Sequence, residues 1–123
     1  MAEIPQAPAD ITPDDFYLKW IPEQAAANPD LLAKTSHINA FLQFIITGEG
    51  GGEYYLQVDS GRLRTFRGTF DEPRLTITQT IETWREIRTG SLNPQAAILI
   101  GKLMIKGNMA LGIELADIMG YET

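Results

Sequence analysis

The chain has 123 residues, of which 44% are hydrophobic and 21% are charged, and this composition predicts one globular domain and excludes disordered and membrane-spanning classes. Its net charge of -6 opposes binding to nucleic acid, so we expect no nucleic-acid partner. The absence of cysteine excludes disulfides and thiol catalysis, and together with a start that lacks a basic, apolar leader it predicts a cytoplasmic location.

The N-terminal part of the chain predicts a short tail followed by helix. Residues 1–11 contain two prolines among small side chains, which is typical of a tail. Thr12 then provides a cap, with Pro13 at the first helical position. Because further prolines interrupt the helical pattern, residues 13–34 are predicted to form one or two helical pieces. They open a single domain that spans residues 12–123.

The middle of the chain changes to a two-residue period, which predicts strands. Apolar and polar residues alternate around Leu42, Leu56 and Ile77, and turn residues separate these runs. The glycine-rich segment from Gly48 to Gly52 joins two of the runs as a hairpin. We predict four strands in an antiparallel meander with one apolar face.

The C-terminal part alternates between helix and strand. A helical period returns from Ile81 to Ile87, and a short apolar helix is predicted over residues 95–100. A fifth strand follows from Leu103, and a final helix is predicted over residues 108–120. The predicted fold class is therefore α+β, with a five-stranded, mostly antiparallel sheet covered on one face by helices.

The final helix has more apolar surface than packing on one sheet requires. Glu114 and Asp117 occupy one narrow stripe beside Ala110, and every other position is apolar or glycine. The helix therefore needs a second apolar neighbour. The short helix over residues 95–100, a bound ligand and a partner chain all meet that need.

The run from Asn93 to Met109 has a recognisable pattern. It contains Pro-x-x-Ala and then Gly-Lys-Leu-x-Ile-x-Gly-Asn-Met, and it resembles the C-terminal signature of the sterol carrier protein 2 family. The order of predicted elements is also similar to that family over residues 12–120. The resemblance implies an apolar cavity, a lipid tunnel, between the sheet and the C-terminal helices. It implies no cofactor, and a cargo drawn from fatty acids, acyl-CoA, sterol-like molecules and phospholipids.

The resemblance also implies which residues contact the ligand. They are the positions that match the family's pattern and are expected to face inward. The strands supply Leu42, Phe44, Leu56, Val58 and Ile77, the middle helix supplies Trp84 and Ile87, and the C-terminal segments supply Ala97, Ile100, Met109 and Ile113.

Other patterns predict less chemistry. The glycine-rich hairpin lacks the Gly-Lys-Ser/Thr of a phosphate loop, and His37 is the only histidine, so no metal site or catalytic base is expected. Arg62, Arg64 and Arg67 form a local basic cluster. That cluster either meets an anionic head group or a membrane, or is an exposed strand face that balances nearby acids.

The favoured function is non-catalytic binding and intracellular transfer of an apolar lipid, by a monomer or homodimer with transient membrane contact. One alternative is an accessory subunit that presents an isoprenoid or acyl intermediate to a partner enzyme. A second is an enzyme that uses Glu114 with Tyr54 or Tyr55 in a pocket. A third is a structural dimer formed through the final helix.

Overall fold

One mixed five-stranded sheet carries the fold in this computed structural model, which describes residues 7–8 and 10–115. The strands are β1 (Asn39–Thr47), β2 (Gly52–Asp59), β3 (Arg62–Arg67), β4 (Leu75–Thr80) and β5 (Leu103–Gly107). Across the sheet they lie in the order β3-β2-β1-β4-β5, with β1 and β4 parallel and the other neighbouring pairs antiparallel. The predicted α+β class with a mostly antiparallel sheet is confirmed.

Helices precede the sheet and separate its last strands. They are α1 (Pro13–Asp15), a π-helical stretch (Phe16–Trp20), α2 (Ile21–Ala27), α3 (Pro29–Ala33), α4 (Ile81–Arg88), α5 (Pro94–Leu99) and α6 (Met109–Glu114). The prediction of one or two helical pieces over residues 13–34 is confirmed, with a break between α2 and α3. Residues 116–123, which include Asp117 and the predicted end of the final helix, lie outside the described residues.

Side-chain caps begin α1 and α5 where the sequence predicts them. The Oγ1 atom of Thr12 accepts from the backbone N–H of Asp15 at 3.1 Å. The Oδ1 atom of Asn93 accepts from Gln95 N at 2.8 Å at the start of α5. These bonds satisfy donors that a helix leaves open at its N-terminus, so short polar residues fix where α1 and α5 start.

The core lies on one face of the sheet, which the helices cover. Alternate side chains of β1, β2 and β4 point to this face and pack against residues of the helices. Tyr17 of the π-helical stretch contacts Phe44 and Tyr54, with ring centroids 4.9 Å apart in each pair. Ala7 and Ile11 of the predicted tail also pack against this core, while its boundary at residue 11 stays a prediction.

The predicted meander is wrong at its fourth strand, because β4 pairs with β1 and not with β3. The segment 68–74 leads from β3 to β4, which lies next to β1. It crosses the opposite face of the sheet, which we call the outer face. Gln43 anchors it: Oε1 accepts from Phe70 N at 2.7 Å, and Nε2 donates to Gly68 O at 3.0 Å. The rings of Phe41 and Phe70 stack there at 3.7 Å. The central, largely apolar β1 thus gains a neighbour on each side.

Candidate ligand-binding site

The five candidate strand residues lie side by side on the helix-covered face. Leu42 is opposite Leu56 in the antiparallel pair, and Phe44 is opposite Ile77 in the parallel pair. Val58 follows Leu56 at the next inward position of β2. All five are fully buried, so the two-residue period correctly assigned their face. The structure brings these five together.

Three further candidates close over the strand residues. Trp84 and Ile87 of α4 and Ala97 of α5 are buried in the same core cluster. The ring of Trp84 meets that of Phe16 edge to face, with centroids 5.6 Å apart. Eight of the eleven candidates therefore form one apolar group between sheet and helices. Their contact with a ligand, and an enclosed cavity among them, stay predictions.

The other three candidates do not face inward. Ile100, Met109 and Ile113 are 61%, 47% and 72% exposed. On α6 the core-facing residues are Leu111 and Leu115, and positions two residues away from them point about 200° around the helix. The inward orientation predicted for Met109 and Ile113 is therefore wrong.

Ile100 is exposed for a different reason. It directly follows α5 as the C-cap residue, and Gly101 turns the chain back towards β5 with a φ of +77°. The side chain therefore leaves the face on which Ala97 is buried. Next to it, Leu99 is 86% exposed, so the end of α5 presents apolar surface. The inward orientation predicted for Ile100 is wrong as well.

The signature from Asn93 to Met109 encodes turns and caps. Gly107 has a φ of +110°, and a Cβ atom there would lie 2.3 Å from the carbonyl oxygen of Arg74. Asn108 follows, donating its backbone N–H to the same oxygen at 2.9 Å and capping α6 through Leu111 N at 3.1 Å. Only glycine permits this close approach. These residues set the positions of α5, β5 and α6 around the core.

A hydrogen-bonded cluster at the edge of the sheet was missed by the sequence analysis. Arg67 binds the carboxylate of Asp14 through two bonds of 2.9 Å, and the hydroxyl of Tyr54 donates to the same carboxylate. The hydrogen bonds from Tyr54 and Arg67 lower the pKa of Asp14. Burial, followed by the bond to Asp14, raises the pKa of Tyr54. The cluster ties α1 to β2 and β3 and keeps the phenol neutral.

The predicted basic cluster is divided between two faces. Arg67 lies on the helix-covered face opposite Tyr54, whereas Arg62 and Arg64 lie on the outer face. Strand alternation, which places odd and even positions on opposite faces, could have revealed this separation. Contact of these arginines with a head group stays a prediction.

The residues of the enzyme alternative are not brought together. Glu114 is exposed and lies 3.0 Å from the Nε2 atom of His37. Tyr54 bonds to Asp14, and Tyr55 stacks on Phe66 on the outer face. Within the described part of the chain, Glu114 and the two tyrosines therefore have separate partners.

An open depression of about 600 Å³ lies at the β1–β2 hairpin. None of the eleven candidate residues lines it. It is lined by Ile45, Ile46, Thr47, Gly48, Gly51, Gly52, Glu53, Arg67, Gly68 and Thr69. Four of these ten residues are glycines, and the depression offers only a small apolar area to a lipid chain. No helix in the described part of the chain is long and apolar enough to cross a membrane.

Comparison with known proteins places these features in one family. The model of the SCP-2 sterol transfer family matches residues 18–120. Hydroxysteroid dehydrogenase-like protein 2 of Bos taurus is 35% identical over 81 residues, which is 65% of this chain and 19% of that protein. The chain thus spans less than a fifth of the curated relatives that it matches.

Two solved structures are similar over nearly the whole of both chains. The sterol carrier protein domain 2 of Helicoverpa armigera is 27% identical with a TM-score of 0.62, covering 89% of this chain and 90% of its own. The palmitated SCP2L2 of Aedes aegypti is 19% identical with a TM-score of 0.64, covering 91% of this chain and 97% of its own. The second likeness concerns the fold alone.

Proposed function

Because the chain belongs to the SCP-2 sterol transfer family, whose domains bind and transfer lipids, we propose that it is a non-catalytic carrier of one apolar lipid. The position of the exposed apolar side chains supports this proposal. Of the five large hydrophobic side chains that are exposed in the described residues, four lie at the end of α5 and on α6, namely Leu99, Ile100, Met109 and Ile113, whereas the fifth, Met104, lies on the outer face. Concentrated apolar exposure of this kind marks a binding surface. The proposed cargo is a fatty acid, acyl-CoA, sterol-like molecule or phospholipid.

Apolar burial is the proposed source of affinity. A lipid chain of about 14 methylenes, at about 0.8 kcal/mol for each, contributes roughly 11 kcal/mol before ordering costs. A single hydrogen bond contributes only about 1 kcal/mol net. Chain length therefore sets most of the affinity, and the head group adjusts it.

Native mass spectrometry followed by organic extraction tests whether the purified protein retains a lipid. Displacement of a fluorescent fatty acid then compares two variants. Ile113→Ser alters the exposed C-terminal surface, whereas Met104→Ser alters an exposed hydrophobe on the outer face. We expect the first to weaken binding and the second to leave it unchanged. Equal effects, or no displaceable lipid at all, would contradict the proposal.

An accessory role is the second candidate function. The matched region is less than a fifth of hydroxysteroid dehydrogenase-like protein 2, so a similar domain occurs within a larger relative. In that role the chain presents an isoprenoid or acyl intermediate to a partner enzyme. Recovery of a stoichiometric enzyme in a pull-down supports this role, and its absence supports independent transfer.

We further propose a cytoplasmic location, transient membrane contact, and a monomer or homodimer in solution. The absence of cysteine supports a reducing compartment. Cell fractionation tests the location, and sedimentation at micromolar concentration tests the oligomeric state.

A further inference from the structure

Trp84 carries a buried hydrogen-bond donor that has no acceptor among the described residues. The residue is fully buried, and its Nε1 atom makes no hydrogen bond. Buried indole N–H groups usually have a partner, and a donor left without one is costly. Gln43 and Thr83 are also buried, and their side chains do make hydrogen bonds. Trp84 therefore differs from these buried polar side chains.

Two guanidinium groups lie close to this indole, and neither can accept its hydrogen bond. The Cζ atoms of Arg85 and Arg88 lie 5.0 and 5.7 Å from the centre of the Trp84 ring. Arg88 is itself buried, and its guanidinium also lies 4.4 Å from the ring centre of Phe16. Guanidinium groups only donate hydrogen bonds. The surroundings of the indole are therefore apolar or positively charged, which suits an incoming oxygen acceptor.

We propose that the Nε1–H group of Trp84 donates a hydrogen bond to an oxygen atom of the bound lipid. The inference rests on the proposed function and adds a specificity-determining residue to it. It requires a ligand that combines a long apolar chain with an acceptor oxygen at its buried end. The positive charge of Arg88 favours a carboxylate over a hydroxyl in that position. A pure hydrocarbon would leave the indole without a partner.

The test uses the indole resonances of the full chain. The sequence contains two tryptophans, so an ¹H–¹⁵N spectrum has two indole cross-peaks, and W84F assigns the peak of Trp84 by its loss. Dodecanoic acid, dodecanol and dodecane are added in turn to the wild type. We expect the Trp84 proton to move downfield with the acid, and less far with the alcohol. Dodecane should leave it in place while shifting the methyl resonances of the core.

Affinity provides a second measurement. W84F keeps an aromatic ring but removes the donor, and we expect it to weaken dodecanoic acid binding about fivefold, the change that one net hydrogen bond produces. Binding of dodecane should change by less than about twofold, since no hydrogen bond is lost. The matched variant W20F alters the other tryptophan, which stacks on Phe16 at 5.2 Å, and should affect both ligands alike.

The outcomes separate this inference from the proposed function. If the acid and the alcohol both bind, as judged by methyl shifts, while the Trp84 peak stays in place, the inference is overturned and lipid binding stands. An equal downfield shift with dodecane also overturns it, because a hydrocarbon has no acceptor. If no lipid binds, the proposed function itself fails. The wild-type spectra decide these cases even where W84F folds poorly.

Discussion

Apolar side chains are buried in the sheet core, whereas several of those between residues 99 and 113 are exposed. In the core, Leu56 and Phe44 are sealed between strands and helices. In the segment from residue 99 to residue 113, Leu99 and Ile113 point into solvent although they are equally apolar. The first arrangement stabilises the fold, whereas the second contributes little to it. Substitutions should therefore separate stability from binding.

The largest expected effect is in the core. Leu56→Ala should lower the free energy of unfolding by about 2–5 kcal/mol, because it removes buried apolar contacts and leaves a cavity. Leu99→Ala is the matched control at an exposed site and should change that free energy by less than about 0.5 kcal/mol. Urea denaturation followed by circular dichroism measures both. Similar costs at the two sites would show that the contrast does not exist.

The second-largest effect on stability is expected at Gly107, between β5 and α6. Gly107→Ala should destabilise the fold by about 3 kcal/mol, because a positive φ and a clash with the Arg74 carbonyl act together. Gly68→Ala is the control: its φ is +116°, but nothing lies within 4 Å of the added Cβ atom. It should cost about 1 kcal/mol, from backbone strain alone. Equal melting temperatures for the two variants would show that the close approach to the Arg74 carbonyl does not cause the destabilisation.

A smaller effect is expected where α1 joins the sheet. Asp14→Ala should cost about 1–2 kcal/mol at neutral pH, since it leaves the buried Tyr54 hydroxyl without its acceptor. Asp15→Ala removes only an exposed ion pair with Lys19 and should cost less than about 0.5 kcal/mol. Unfolding free energies of both variants and the wild type make this comparison.

The effect of Asp14 should depend on pH. Folding lowers the pKa of this group, so its stabilising effect is complete above the ordinary aspartate pKa of about 3.9 and is lost as the pH falls through the lower folded value. The difference between the wild type and Asp14→Ala should therefore shrink in acid. A difference that stayed constant down to pH 2 would exclude an ionised Asp14 as the cause.

The smallest effect is expected at the surface of α6. His37→Gln should change stability by less than about 0.5 kcal/mol, because the pair with Glu114 is exposed to solvent. Leu111→Ala, on the buried side of the same helix, should cost several times more. Hydrogen exchange of the α6 amides would show whether Leu111 or the His37–Glu114 contact holds the helix. Faster exchange in His37→Gln alone would favour the contact with Glu114.

Local patterns predicted most of the elements, while long-range contacts escaped them. Strand alternation identified the buried face of Leu42 and Leu56, and Asn93 marked a helix start, because these features depend on neighbours in the chain. The pairing of β4 with β1 depends on Gln43 binding the distant segment 68–74, and a polar residue within a strand gives no sign of its partner.

The candidate site was predicted less completely than the fold. Ile100 and Ile113 match the family's pattern, and that match suggested that they face inward. Their exposure depends on where α5 ends and on the way Leu111 and Leu115 orient α6. The Asp14–Tyr54 bond joins elements far apart in the sequence. Such geometry follows from the assembled fold and cannot be read from the spacing of residues.

The parallel pairing of β1 with β4 also bears on how the protein folds. The antiparallel neighbours β1, β2 and β3 are joined by tight turns, and such hairpins form within microseconds. The ladder that sets Leu42 beside Leu75 must wait until both hairpins and the segment 68–74 are in place, because its partners are distant along the chain. Formation of the β1–β4 pairing should therefore limit the rate of refolding. Until then, β1 exposes an apolar edge, and the nascent chain is most prone to aggregate during this interval.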